Sequence, residues 1–563
     1  MFPFNFRKKR YTSHEIEPDE VFLDSRNLPE FDTQQMEGRI EKPISKRSVF
    51  FFGIACICLG LIFTGRLVSV QIVQGSDFFE RSESNSLNRI PLFADRGVIY
   101  DRNGVELAWN QNVEGIDHPL RHYIKEPGFS SFLGSVSYPS KDSKGNYWKF
   151  DIEGKEGIEK EYNTHLAGTN GSKLFETDVR GVVRSENTIE PALNGDNLTL
   201  TVDARIQAEF ARAIASLAER SSFVGGAGVI MDVQNGEILA MTSFPEYDSE
   251  VLSQGNDRQA INSYLTDPRK PFLNRVIDGL YTPGSIVKPF IALGVLDQNL
   301  IDPNKQILST GSIEIQNPYN PSNKTIFRDW KAHGYVDMRE AIAVSSNVYF
   351  YTVGGGFGGQ KGLGITNIEH YIRLYGLGEP TGIELSGERT GVIPSPVWKK
   401  KFFPKDPTWR LGDTYNTSIG QYGFQVTPIQ MVRSTAALAN GGELLTPHLV
   451  RDSLKESPTR VISVEPEDLE VIHEGMRMVV TEGTAGAINS SLYPAAAKTG
   501  TAQVGLSKQY VNSWAIGFFP YENPRYAFTV LMERAPKDGV VGAVHAIKPV
   551  LDYMAANAPE YLE

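Results

Sequence analysis

The stretch YTPGSIVKPF, residues 281–290, sets Ser285 three positions ahead of Lys288. Thr282, Pro283 and Gly284 read as a turn, and the apolar run Phe290–Leu296 behind the lysine predicts a helix that carries Ser285 in its first turn. Residues three apart on a helix share a face, so the hydroxyl and the amine come within reach of each other. A serine is a weak nucleophile until a base takes its proton, and a lysine desolvated until its pKa falls can be that base. Backbone N–H groups of a first helical turn also suit a developing oxyanion. S-x-x-K alone is short enough to recur by chance, and its structural alternative is a capped helix with a solvated lysine.

Two further stretches weigh against chance. AVSSNVYF (343–350) contains Ser345-x-Asn347, and AAAKTGTAQ (495–503) contains Lys498-Thr499-Gly500-Thr501. S-x-x-K, an S-x-N element and K-T-G in this order form the joint signature of β-lactamases and penicillin-binding proteins. The roles separate by residue. Ser285 attacks a carbonyl and becomes an ester while Lys288 accepts its proton. Ser345 and Asn347 relay a proton to the leaving amine and bind the substrate amide. Lys498 presents a cation to a substrate carboxylate, with the Thr499 and Thr501 hydroxyls adding hydrogen bonds. Gly500 lets the strand approach the substrate closely. None of these steps requires a metal ion or another cofactor.

The 563 residues correspond to about three or four domains by length. The 40% apolar content suffices for sizeable cores, and the net charge of −11 disfavours nucleic acid as a partner. Cys56 and Cys58 stand too close in sequence for a good mutual disulfide, which leaves no disulfide framework and no cysteine metal site. Both lie in SVFFFGIACICLGLIFTG (48–65), an uncharged run that approaches the ~20 residues needed to span hydrocarbon and is completed by the weakly polar stretch to Val73. The expectation is one transmembrane helix over 48–70. A cleaved signal peptide is disfavoured, because 47 residues precede the run and no small-x-small pattern follows it closely. Lys42, Lys46 and Arg47 precede the span, with a basic cluster from Arg7 to Arg10, whereas only Arg66 follows closely and can snorkel. By the positive-inside rule the N-terminal tail is cytoplasmic and the rest lies outside. The polar, acid-rich stretch Ser13–Glu41 reads as disordered.

Beyond the membrane, NRIPLFADRGVIYDRNGVELAWN (88–110) predicts two short strands around the turn Asp101–Gly104. A helical stretch covers Ala204–Glu219. GAGVIMDV and GEILAMTS flank Asn235-Gly236, a strong hairpin signal. Apolar helical segments occupy much of 285–445; SWAIGFFP and YAFTVLMER then read as adjacent antiparallel strands, and Val541–Ala556 as a closing helix. The pattern is α+β, with a tail (1–47), the membrane helix (48–70), a pedestal (71–220) and a catalytic domain (221–563).

Given these motifs, the chain resembles the class B penicillin-binding proteins, most closely their elongation-type penicillin-binding protein 2 group. The resemblance is carried by LVSVQIVQG (67–75), RGVIYDRNG (96–104), GIEKEYNTHLAG (157–168), TVDARIQ (201–207), NRVIDGLYTPGSIVKP (274–289), SSNVYFY (345–351) and KTGTAQ (498–503). Tyr281, two residues before Pro283, resembles the elongation branch more than the division branch. The resemblance implies an inner-membrane D,D-transpeptidase with its catalytic domain in the periplasm, an antiparallel sheet with a helical subdomain set on an elongated, dimerisation-type pedestal. It implies that Ser285 is acylated by the penultimate D-alanine of a peptidoglycan stem peptide, that β-lactams acylate the same serine, and that the oxyanion hole is made by the backbone N–H groups of Ser285 and Thr501. It further implies a RodA-type membrane glycosyltransferase as partner, met through the pedestal and transmembrane helix. In SIGQYGFQVTP (418–428) Tyr422 and Gly423 are exchanged relative to the family's GQG-plus-aromatic pattern, which predicts a differently shaped wall near the cleft.

Blander readings stand beside these. Asp329 and His333 are a candidate metal pair, but with only two ligands close in sequence a structural hydrogen bond is preferred. Arg96, Asp101 and Arg102 are either partner contacts or a turn held by salt bridges. Tyr349 and Phe350 read as core. The competing functions are a division-specific transpeptidase, a β-lactam hydrolase or sensor of the same fold, and a non-catalytic scaffold. A hydrolase needs a glutamate-activated water that nothing here marks, and a scaffold has no chemical need for all six motif side chains.

Overall fold

The computed structural model describes residues 46–76, 87–143, 145–177, 183–317, 320–451, 459–505, 507–537 and 541–562. The acidic stretch 13–41, the basic cluster at 7–10 and Lys42 lie outside them. The chain divides into an N-terminal unit ending at Asn88 and a main unit from Arg89 onward.

In the N-terminal unit a helix, Lys46–Val68, runs into one π-helical turn, Ser69–Val73, whose end is held by Gln74 N–H donating to Ser69 O (2.9 Å). Val49–Val73 has a mean hydropathy of 2.1, and at 1.5 Å per residue it is long enough to cross ~30 Å of hydrocarbon. Its apolar side chains are uncovered by protein, Phe52 being 73% exposed. An all-round apolar helix without protein cover is what a bilayer covers.

The main unit is organised by an antiparallel sheet with five described strands: β1 (Gly225–Asp232), β2 (Ile238–Phe244), β3 (Ala496–Val504), β4 (Tyr510–Phe519) and β5 (Tyr526–Pro536), in spatial order β2-β1-β5-β4-β3. The β1–β2 hairpin forms as expected, but its connection, residues 233–237, is longer than the two-residue turn that Asn235-Gly236 predicts. Gly236 takes φ +90°, and the Asn235 side chain accepts from Glu237 N–H (2.8 Å). The predicted pair near the C-terminus is β4–β5, and the closing helix is Val544–Asn557.

The helix Ala204–Arg220, assigned by sequence to the end of the pedestal, packs on β1 and β2 and on the closing helix. Its close approach explains two glycines of β1: a Cβ on Gly228 would lie 2.2 Å from the Phe210 ring and one on Gly226 would lie 2.6 Å from Ile214. A second group of helices includes Pro428–Ala439 on β5, β1 and β4, and Pro466–Thr481 on β3. The block read as helical also contains two strand pairs that sequence reading missed, Ile307–Ser309 with Gly334–Val336 and Ser312–Asn317 with Asn320–Arg328. The second pair packs on a small core of Ile313, Val348, Tyr351 and Tyr415, whereas Ile307 and Val336 of the first join the main core.

In the segment before the sheet, Ile99–Tyr100 and Glu106–Gln111 form the expected antiparallel pair. Asp101 holds the turn by accepting from Asn103 N–H and Val105 N–H (both 2.8 Å), and its second oxygen accepts from Ala204 N–H (3.0 Å). Arg102 pairs with Glu237 of the β1–β2 turn (2.6 Å). Arg96 and Arg121 converge on one buried carboxylate, Glu159, at 2.5 and 2.7 Å. Arg96, Asp101 and Arg102 thus all make the internal contacts that the structural reading of them expects.

Candidate active site

Ser285 sits where three segments meet. Tyr281 exchanges backbone hydrogen bonds with Val426 (3.0 and 2.9 Å), and Gly284 N–H donates to Gly420 O (3.0 Å). Gly284 takes φ +61°, and a Cβ there would lie 3.0 Å from Thr501 O of β3. Residues Gly284–Val287 form a 3₁₀ turn, and the α-helix, Lys288–Asp297, begins only at the lysine. This differs from the expected α-turn, yet in a 3₁₀ turn residues i and i+3 eclipse, which keeps Ser285 and Lys288 on one face.

The Lys288 amine is fully buried. Nζ donates to Ser345 O (2.8 Å), Asn347 Oδ1 (2.9 Å) and Ser345 Oγ (3.3 Å). The amine is thus engaged with the S-x-N turn, whereas sequence reading had aimed it at Ser285. The buried Phe350 ring lies 5.3 Å from Nζ. Phe350 and Tyr349 are both core, as expected. Burial pushes the Lys288 pKa down to about 7, against the opposing pull of the Asp329 carboxylate.

Ser345 and Asn347 join two helices, Met338–Ala343 and Asn347–Gly355. Ser345 has φ +58°, a strained conformation for a residue with a Cβ, and the surroundings impose it. Ser346 caps the second helix through Tyr349 N–H. Asp329 Oδ2 accepts from Ser346 Oγ (2.9 Å), Val348 N–H (2.9 Å) and Ser309 Oγ (3.3 Å), so one buried carboxylate organises the turn that receives Lys288. His333 Nε2 stands 3.7 Å from Asp329 Oδ1, beyond the expected hydrogen bond, and its ring meets the Trp330 edge at 5.0 Å. Among the described residues no cluster of three or more His, Cys, Asp or Glu could hold a metal ion.

Lys498, Thr499, Gly500 and Thr501 lie on β3, an outer strand of the sheet, whose alternate backbone groups have no strand partner among the described residues. Lys498 was expected to present its cation. Instead it is fully buried and donates to Thr499 O (2.8 Å); burial and the nearby Lys288 push its pKa well below the usual lysine range. Thr499 contacts the Thr484 hydroxyl, and Thr501 is exposed. A Cβ on Gly500 would lie 2.9 Å from Pro283 O and from Ile286, so the missing side chain makes room for the turn that carries Ser285. Opposite Gly500 in the β3–β4 ladder stands Trp514, whose indole N–H donates to Thr282 O (3.0 Å).

Beside the site, Tyr422 takes φ +67° and packs among Trp398, Phe403 and Trp409. A Cβ on the following Gly423 would lie 2.6 Å from the Trp398 ring. The Tyr422–Gly423 order thus builds an aromatic wall. Trp514 and Thr484 belong to no recognisable spacing and are not legible in the sequence, and Asp329, legible only as a neighbour of His333, takes instead the role of organising the S-x-N turn.

The penicillin binding protein transpeptidase domain family matches residues 226–551, more than half of the chain. The chain belongs to this family. The penicillin-binding protein dimerisation domain matches residues 112–200 of the same penicillin-binding protein. The solved structure of *Pseudomonas aeruginosa* PBP2 in complex with WCK 5153 is 30% identical, with a TM-score of 0.69 over 84% of this chain and 98% of that one. PBP2 of *Helicobacter pylori*, solved in complex with MreC, is 27% identical, with a TM-score of 0.69 over 84% and 99% of the two chains. The peptidoglycan D,D-transpeptidase MrdA of *Haemophilus influenzae* is 29% identical over 90% of both chains. Its counterpart in *Escherichia coli* is 28% identical over 91% of this chain and 94% of its own. This penicillin-binding protein is of the class B, PBP2 type.

Proposed function

We propose that this penicillin-binding protein is an elongation-type peptidoglycan D,D-transpeptidase that works through an acyl-Ser285 intermediate. Lys288 in its neutral form takes the Ser285 proton as the hydroxyl attacks the carbonyl of the penultimate D-alanine. The Ser285 and Thr501 N–H groups hold the oxyanion. Ser345 passes a proton to the departing D-alanine, and Asn347 holds the peptide amide. A stem-peptide carboxylate entering beside Thr499 and Thr501 raises the pKa of Lys498 and pairs with its cation, because a nearby anion offsets the cost of burying that charge. The amine of a neighbouring stem then takes the acyl group, giving a new amide and free Ser285. The observation that carries this reading is the buried Lys288 amine, whose pKa of about 7 lets it act as a base at neutral pH.

The MrdA relatives favour elongation over division. In the same reading the N-terminal helix anchors the enzyme in the inner membrane with the catalytic domain in the periplasm, and the pedestal and helix meet a RodA-type glycosyltransferase that supplies glycan strands. The test is intact mass after penicillin. A stable adduct on the parent chain and none on Ser285→Ala is expected; no adduct on folded parent protein would refute it.

A further inference from the structure

The loop carrying Tyr422 has two faces. On one, Gly420 packs so closely on the nucleophile turn that a Cβ would lie 2.1 Å from Gly284 O. On the other, Tyr422 and Gly423 lie against the aromatic wall begun by Trp398. That wall is locked from behind: Lys399 pairs with Asp413 (2.6 Å), and Asp413 also accepts from Arg410 N–H (2.8 Å). Its outer surface is uncovered, with Val397 80%, Phe402 58% and Phe403 46% exposed. Trp398, Lys401 and Phe402 also line an open cleft of about 430 Å³ that runs to Val392 and Ile393. Of the five lysines and arginines in residues 396–412, Lys399 pairs with Asp413 and Arg410 with Asp406, and the exposed Lys400, Lys401 and Lys405 leave the rim basic in a chain whose net charge is −11.

An exposed apolar patch of this kind marks a binding surface, and its basic rim selects an anionic occupant. We propose that this aromatic and basic wall is a second peptidoglycan-binding site, which holds a glycan strand bearing anionic stem peptides outside the scissile cleft. Sugar faces stack on the Phe402 and Phe403 rings, and stem-peptide carboxylates pair with Lys400 and Lys401. Continuity with the nucleophile turn through one loop favours the polymer that the cleft itself processes over a lipid surface. The proposal rests on peptidoglycan being the substrate. It adds that the strand is retained while the cleft is occupied, so that successive stems are presented without full dissociation.

The test is co-sedimentation of the detergent-solubilised full chain with purified insoluble peptidoglycan. The samples are the parent, the parent with Ser285 acylated by penicillin, and the double variants Val397→Ser/Phe402→Ser and Lys400→Glu/Lys401→Glu. The acylated parent is expected to sediment within about threefold of the free enzyme. Each double variant should bind at least tenfold more weakly while acylating Ser285 at the parent rate, which shows that it is folded. Soluble glycan-peptide fragments should displace the protein, and phosphatidylglycerol-doped micelles should not. Loss of sedimentation on acylation, unchanged binding by the variants, or displacement by the anionic micelles alone would each overturn the second site. Failure of the transpeptidase reading is read separately, as the absence of any Ser285 adduct.

Discussion

The pH dependence of Ser285 acylation follows from the environment of one amine. A lysine of ordinary pKa, about 10.4, is neutral in roughly one molecule in 2,500 at pH 7, whereas one with a pKa of about 7 is neutral in half. Burial therefore raises the population of competent base by about three orders of magnitude. The acylation rate with a fluorescent penicillin should climb close to tenfold per unit below pH 7 and level off above it. Asp329 favours the charged amine, so Asp329→Asn should move the midpoint to lower pH. Lys288→Arg, permanently charged, should lose about 10²- to 10⁴-fold at every pH. The same shift acts on the fold. Between pH 7 and about 10.5 the unfolded lysine binds more protons than the folded one, so stability rises with pH across that window, by up to about 5 kcal/mol at 1.36 kcal/mol per unit. The parent's denaturation midpoint should therefore gain more between pH 7 and 9 than that of Lys288→Met. A flat acylation profile from pH 5.5 to 8.5, a midpoint near 10, or an upward shift in Asp329→Asn would refute the reasoning.

Three other perturbations separate positioning from chemistry. Gly500→Ala forces a Cβ to 2.9 Å from Pro283 O and should slow penicillin acylation by about 10²-fold in a folded protein; parent-like kinetics would show that the turn can give way. Trp514→Phe keeps the ring in the core but removes the hydrogen bond to Thr282 O, worth about 0.5–1.5 kcal/mol, so acylation should fall about two- to twelvefold, and an unchanged rate would remove Trp514 from the positioning set. Glu159→Gln leaves two buried guanidiniums without their carboxylate and should cost about 3–5 kcal/mol in urea unfolding, with a loss under 1 kcal/mol counting against it. Burial alone would raise the Glu159 carboxyl, but Arg121 and Arg96 outweigh it and hold it below the usual range. Its contribution is therefore present above about pH 4.5 and lost as the pH falls through the lowered value.

Much of the fold was legible where a local rule is strong. Asn235-Gly236 announced its hairpin because Gly236 accepts the left-handed conformation its loop requires, although the loop is longer than two residues, and the uncharged run 48–65 announced its helix. The strands between 307 and 336 were not legible, since Ile307 and Val336 pack into the main core and the second pair packs on Val348, Tyr351 and Tyr415 from helices later in the chain. The Asp329–His333 pair was readable as neighbours in sequence, but the carboxylate's main partners, Ser346 and Val348, come from a helix start elsewhere in the chain.

By itself the sequence determined which atoms are available for chemistry: a hydroxyl and an amine three residues apart, an S-x-N turn and a K-T-G strand, because reactivity begins with residue type. What only the tertiary structure decided is how those atoms behave. Burial beside Phe350 and the surrounding core pushes the Lys288 pKa down to about 7, and burial together with the nearby Lys288 pushes that of Lys498 well below the usual lysine range. Gly500 leaves room for the Pro283–Ile286 turn because of what packs above it. Desolvation and close packing depend on every neighbour in three dimensions, and no spacing along the chain encodes them.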